Sequence, residues 1–137
     1  MAITSIDGFL ARGRGALTAR EVVSKRTIKL TRGDSATVRM LLRDDAGMPV
    51  DMTGDTLTLS VRLSEKYAPV KIAIAGTVTP ALGVGYAEFA FVPANTVNWE
   101  PGRYLFDVVR IVSGVRDTIV PASALTLTST ADKGNAP

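Results

Sequence analysis

The feature that most constrains this chain is a side-chain period of two. It recurs in short runs that turn residues interrupt about every 8–12 positions. Thr27-Ile28-Lys29-Leu30-Thr31 alternates polar and apolar, and Ser35 to Arg43 follows with Val38, Met40 and Leu42 on one face. Thr56 to Leu63 sets Leu57, Leu59, Val61 and Leu63 together. Val70 to Thr79 continues with Val70, Ile72, Ile74 and Val78, loosened by Gly76, a candidate bulge. Tyr86 to Val92 turns Ala87, Phe89 and Phe91 inward, and Pro93 then opens a short helical turn. Tyr104 to Val112 and Val115 to Val120 read as a hairpin around Ser113-Gly114. Pro121 marks an edge or a strand switch, and Ser123 to Thr128 forms a last strand with Leu125 and Leu127 inward.

Short strands at this spacing, with no long helical period, predict an all-β fold: an immunoglobulin-like antiparallel β-sandwich of seven or eight strands. Tyr104 falls where the tyrosine corner of such a sandwich would sit. At 137 residues a single domain is expected, with enough buried surface for a real core. The alternation covers residues 26–130, and residues 131–137 read as a polar tail. Residues 1–25 do not share the pattern. Gly8, Gly13 and Gly15, interspersed with arginines, read as an extended N-terminal arm, flexible or ordered by a partner. Thr18-Ala19-Arg20-Glu21 has capping-box spacing, so a short helix from Ala19 to about Lys25 could follow it.

Composition removes whole classes of chemistry. There is no cysteine and no histidine, which excludes disulfides, Cys/His zinc sites and Ser-His-Asp or Cys-His catalysis. No stretch reads as a membrane span or a signal peptide, so a soluble protein made inside the cell is expected, with no membrane partner. Charge is uneven. Residues 1–26 carry Arg12, Arg14, Arg20, Lys25 and Arg26 against Asp7 and Glu21, which accounts for the whole net charge of +3. A neutral body with a basic arm points to an arm that docks on another molecule.

Each candidate site has a plainer reading that outweighs it. Arg32-Gly33-Asp34-Ser35 contains the tripeptide of integrin ligands, but a tight turn with glycine at positive φ explains it. Asp44, Asp45, Asp51 and Asp55 could line a calcium loop, yet they lack the alternating ligands of an EF-hand and suit solvated turns. Arg12-Gly13-Arg14-Gly15 is a fragment of the Arg-Gly segments that track single-stranded nucleic acid. A protein partner is preferred, because only Phe9 is near to stack on bases. Glu88, Asp107 and Asp117 within strands read as cross-strand partners of Arg110, Arg116 and Lys71, not as an acid–base pair. No catalytic residue, cofactor site or metal site is expected, and the chain is not expected to be an enzyme.

Three stretches together carry a family resemblance. Arg32-Gly33-Asp34-Ser35 opens a strand. Arg43-Asp44-Asp45-Ala46-Gly47-Met48-Pro49-Val50-Asp51-Met52-Thr53-Gly54 leads into Leu57-Thr58-Leu59-Ser60-Val61. Trp99-Glu100-Pro101-Gly102-Arg103-Tyr104-Leu105-Phe106-Asp107-Val108 opens a later strand. The chain resembles the immunoglobulin-like N-terminal domain of tailed-phage baseplate upper proteins and related small phage virion proteins, with Met52 and Phe106 departing from the family pattern. The resemblance gives Gly33, Asp34, Gly47, Pro49, Gly54, Trp99, Pro101, Gly102 and Tyr104 structural roles at turns and corners.

It implies a non-enzymatic virion component, made in the host cytoplasm and present in many symmetric copies, that joins other tail, baseplate or capsid subunits. Attachment of fibres at the tail or baseplate is the first expectation. Head decoration, a head fibre or a neck protein is the alternative, and a cellular adhesion or carbohydrate-binding module a more distant one. Phe9, Leu10, Arg12, Arg14, Leu17, Val22 and Val23 are the expected contacts of the arm. Deleting residues 1–20 is expected to leave a folded sandwich.

Overall fold

A computed structural model describes residues 2–9, 27–44, 46–63 and 69–129. Two sheets pack face to face. One has four strands in the order β1 (Ala2–Phe9), β3 (Ala36–Arg43), β7 (Tyr86–Phe91) and β6 (Thr77–Val78). The other has five, in the order β2 (Ile28–Thr31), β9 (Val115–Thr128), β8 (Gly102–Val112), β4 (Thr56–Leu63) and β5 (Val70–Ala75). The all-β sandwich is therefore as the alternation requires.

The period of two decides which side chains meet between the sheets. Along β3, Ala36, Val38, Met40 and Leu42 are buried while the residues between them stay half-exposed. Ala87, Phe89 and Phe91 of β7 lie beside them in the same sheet, and Leu57, Leu59 and Val61 from β4, with Leu125 and Leu127 from β9, face them from the other sheet. Phe89, Phe91 and Phe106 are the bulkiest fully buried side chains, each contributing about 1.5–3 kcal/mol by leaving water. Leu63 and Val70, expected inside, are 39% and 48% exposed, because they lie where β4 and β5 run out at one end of the sheet.

Three findings depart from the sequence reading. First, residues 2–9 are not part of an extended arm. They form β1, parallel to β3 in a register from Ala2 opposite Ala36 to Phe9 opposite Arg43. Ile6 is only 2% exposed and belongs to the core. Alternation is weak here because threonine and glycine share the inward parity with Ile6, so the strand carries little hydrophobic signal. Deleting residues 1–20 would thus strip a core strand. The remaining expected segment, with its short helix, lies outside the described residues.

Second, Gly76 is a crossing between sheets, not a bulge. Its amide donates to the Leu57 carbonyl at 2.8 Å in the five-stranded sheet, and the next residue, Thr77, pairs with Glu88 in the other. An added Cβ would lie 2.6 Å from Phe89 Cε2, so only glycine lets the chain pass this close to the core. Third, of the two expectations for Pro121 the strand switch fails and the edge holds, since β2 lies along β9 only from Leu125 to Thr128 among the described residues. Pro121 sits exposed within β9, where the register against β8 slips near Phe106, Val108 and Val109, and the strand continues to Thr128. These bulges absorb the missing donor.

The sandwich is not wholly antiparallel as expected: at one edge of each sheet the pair is parallel, β1 with β3 and β2 with β9, while the other pairs, including β4 with β5 and β6 with β7 at the opposite edges, are antiparallel. Both parallel pairs follow from the path: the chain leaves the four-stranded sheet after β1, enters the other as β2, and returns through the Arg32–Ser35 corner as β3.

Candidate interaction surface

The turns flagged in the sequence gather at the two ends of the sandwich. At one end, the Arg32-Gly33-Asp34 turn carries the chain between sheets. Gly33 takes φ of 80°, and the Asp34 amide donates to the Thr31 carbonyl at 3.1 Å. The Gly33 amide donates to Thr96 Oγ1 at 2.9 Å, which gives the buried threonine hydroxyl its partner. Arg32 is half-buried, with its amide on the Thr128 carbonyl at 2.9 Å and Nη1 3.4 Å from the Trp99 carbonyl. An integrin-type ligand needs that guanidinium presented outward, and here it is tied back against the fold.

Beside this turn, Tyr104 makes the corner contact: its hydroxyl donates to the Glu100 carbonyl at 2.6 Å. Burial, and secondarily the Glu100 charge, raise the phenol above its ordinary pKa. Trp99 packs on the Tyr104 ring at 5.1 Å between centroids, and Lys71 Nζ lies 5.5 Å from the Trp99 ring centroid. Pro93 opens the one-turn helix Pro93–Thr96, with Asn95 Oδ1 accepting from the Val92 amide at 2.7 Å. Pro101 then leads into β8, which Gly102 starts opposite Leu127.

At the other end, Asp44 Oδ1 accepts from the Ala46 and Met48 amides, both at 2.9 Å, and Gly47 takes φ of 86°. Pro49 bridges to Arg43. Asp51 accepts from the Thr53 hydroxyl at 2.7 Å and amide at 3.0 Å, which hold its carboxyl below the usual value. Gly54, at φ of 85°, completes this turn. Asp55 binds Arg110 Nε at 2.7 Å, the most enclosed ion pair described. These aspartates thus serve separate turns and a pair. No group of three or more metal-ligating side chains occurs among the described residues.

Two of the three in-strand carboxylates form ion pairs with arginines other than those expected, while Asp117 lies opposite Arg110 in the β8–β9 register, as the charge pattern implied. Glu88 pairs with Arg39 at 2.9 Å and Asp107 with Arg62 at 3.4 Å. Asp7 of β1 reaches Arg43 at 3.3 Å. Thr96 and Ile6 escaped the sequence reading. A lone threonine in a polar loop carries no signal of burial, and Ile6 sits in a run of weak alternation.

A shallow cleft of about 180 Å³ opens between Asp51–Thr53 and Val78–Gly85, with Met52, Val78, Pro80 and Val84 along its walls. Small-molecule sites usually span about 300–1,000 Å³ with converging polar groups, and this cleft offers only the Asp51 turn. What the surface does present is strand edge. β5 and the two-residue β6 bound one side of the sandwich; β1 and β2 bound the other.

Of the residues expected to contact partners, Phe9 falls at the end of β1, opposite Arg43, at the cleft end of the sandwich. Leu10, Arg12, Arg14, Leu17, Val22 and Val23 lie outside the described residues. They join β1 to β2, so the basic segment is bounded by a paired strand on each side.

No family model and no curated protein matches the chain. Among solved structures, an uncharacterized protein from Bacillus anthracis strain Ames is 16% identical with a TM-score of 0.42, covering 74% of this chain and 76% of that one. The N-terminal domain of phage TP901-1 ORF48 is similar at a TM-score of 0.56 and 13% identity, covering 93% of this chain and 99% of that one. The β-sandwich of this chain is thus a fold shared, nearly end to end, with a domain of a phage protein.

Proposed function

We propose that this protein is a non-enzymatic structural component of a tailed-phage virion, placed at the tail or baseplate or at a fibre attachment, and present in several copies. The observation that carries the reading is the fold likeness to a phage domain over almost the full length of both chains. Fold alone does not assign function, but the turns at Gly33, Gly47, Gly54 and Tyr104, which bear the baseplate-protein resemblance, hold the corners of this same sandwich. Contacts with neighbouring subunits run through the sandwich edges and through the basic segment, with Phe9, Leu10, Arg12, Arg14, Leu17, Val22 and Val23 as the contact residues. Strands on either side of that segment hold its ends, which lowers the ordering cost of docking it.

Immunogold electron microscopy of tailed particles, using antibody raised against the purified chain, tests the placement. Label at the tail end supports it. Label confined to the head overturns tail placement in favour of head decoration, and particles without label overturn the virion reading. Replacing residues 10–25 with a Gly/Ser linker of equal length keeps β1, and incorporation into particles should then fall.

A further inference from the structure

Among the described residues, the five-stranded sheet ends at β5, which pairs with β4 on one flank only. The other flank presents a row of peptide donors and acceptors, a template for a further strand. Sandwich proteins blunt such edges with proline, charge or very short strands. β5 spans six residues, Val70-Lys71-Ile72-Ala73-Ile74-Ala75, with no proline and no acidic group; its register against β4 slips at Lys71 and is regular from Ile72 to Ala75. Its one charge, Lys71, leans towards the Trp99 ring. Val70 is exposed, and Ile72 and Ile74 are only partly buried, whereas Leu59 and Val61 beside them are fully buried. The other edges differ: β6 has two residues, β2 has four, and β1 carries Asp7 bound to Arg43.

We propose that β5 is a self-pairing edge, joining the β5 of a second copy of this chain as an antiparallel pair about a two-fold axis. That axis keeps each face of the sheet continuous, so residues pair only with partners of the same parity. Two centred registers result. In the first, Ala73 lies opposite Ala73, Ile72 opposite Ile74 and Lys71 opposite Ala75. In the second, Ile72 lies opposite Ile72, Val70 opposite Ile74 and Lys71 opposite Ala73. Neither sets lysine against lysine, and both extend the apolar pair Ile72 and Ile74 with its own copy, the slip at Lys71 having turned Val70 out of that row. The complement of this strand is the strand itself. Residues 27–137 have zero net charge and the whole chain only +3, so two copies approach with little mutual repulsion. One strand pair is smaller than a standard interface, so the isolated dimer is weak and reversible; other contacts in an assembly would raise its occupancy.

This deepens the virion reading by naming one neighbour, and its test is independent of particles. Sedimentation velocity of the full chain, from roughly 10 µM to roughly 1 mM, should show a concentration-dependent dimer. Ala73 is exposed on the outer face of β5, so Ala73→Lys leaves the core intact. It sets ammonium against ammonium in either register and should raise the dissociation constant at least roughly tenfold. Ala73→Glu separates the registers. It strengthens the dimer if it meets Lys71 and weakens it if it meets itself, and in the latter case an equal mixture of the two variants restores pairing. Matching thermal melts verify that both variants fold. A wild-type chain that stays monomeric throughout overturns the proposal, leaving the edge to a strand of a different protein and the virion reading intact. A dimer indifferent to Ala73→Lys overturns it equally.

Discussion

Replacing Gly76 with alanine probes the point where the chain passes between sheets. Gly76 is not in the left-handed region, so alanine meets no backbone objection; the obstacle is space. The new methyl would sit 2.6 Å from Phe89 Cε2 and 3.0 Å from Leu57 Cβ, with Phe89 fully buried and unable to swing into solvent. Overpacking of this kind costs about 1–3 kcal/mol. Restricting the unfolded chain returns about 0.4–1 kcal/mol, leaving a net loss of about 1–2 kcal/mol.

At about 2.1 cal/mol/K of unfolding entropy per residue, a chain of 137 residues loses about 3–7 °C of melting temperature. Calorimetry or a circular-dichroism melt reads that shift. The decisive arm is a double-mutant cycle with Phe89→Leu, which alone costs about 1–2 kcal/mol by leaving a gap. In the double variant the methyl occupies part of that gap, so the two losses should fall short of additive by about 1 kcal/mol. Relief stays partial because Leu57 Cβ is still there. A neutral Gly76→Ala, or strict additivity with Phe89→Leu, would refute the close-approach account of the crossing.

Ile6→Ala should lower urea-unfolding stability by about 2–4 kcal/mol, as for a filled core position; a change within error would remove β1 from the sandwich. Tyr104→Phe deletes the donor to the Glu100 carbonyl and should cost about 0.5–1.5 kcal/mol, so an unchanged denaturation midpoint would show that the corner bond contributes nothing. Thr53→Ala should move the Asp51 carboxyl back up towards its ordinary value in an NMR pH titration, because the hydroxyl is the larger cause of the depression. Since the folded value is the lower one, the turn's contribution is present above the unfolded pKa and fades as pH drops through the folded one. A Thr53→Ala variant that is no less sensitive to acid than the wild type in that window argues against this linkage.

How legible the fold was in the sequence depends on how strongly each strand advertises its inward parity. Val38, Met40 and Leu42, or Leu57, Leu59 and Val61, fill successive inward positions with large apolar groups, and these strands declare themselves in the sequence. In β1 only Ile6 speaks for the core, so the strand was absorbed into the neighbouring glycine- and arginine-rich stretch. Gly76 was visible as an irregularity, but bulge and crossing leave the same mark, and only the proximity of Phe89 distinguishes them. Turn chemistry was readable at Asp44, Gly33 and Gly47 because each acts within a few residues. Pairings such as Arg39 with Glu88 or Arg110 with Asp55 join distant positions, and nothing local announces them. The interaction surface was the least legible part, since an open edge is a property of what fails to pair.

The parallel pairing of β2 with β9 also sets a timetable for synthesis. Ile28 waits for Leu125, and Thr31 for Thr128, so β2 finds this neighbour only when β9 has emerged. Until then β2 has no ladder, and the five-stranded sheet lacks both members on that side. Closing so long a span pays its chain entropy before any bond returns it, which makes sandwiches of this connectivity slow to form. The five-stranded sheet is therefore complete only once β9 has been made, and until then unpaired strand edges and apolar side chains lie open to other nascent copies.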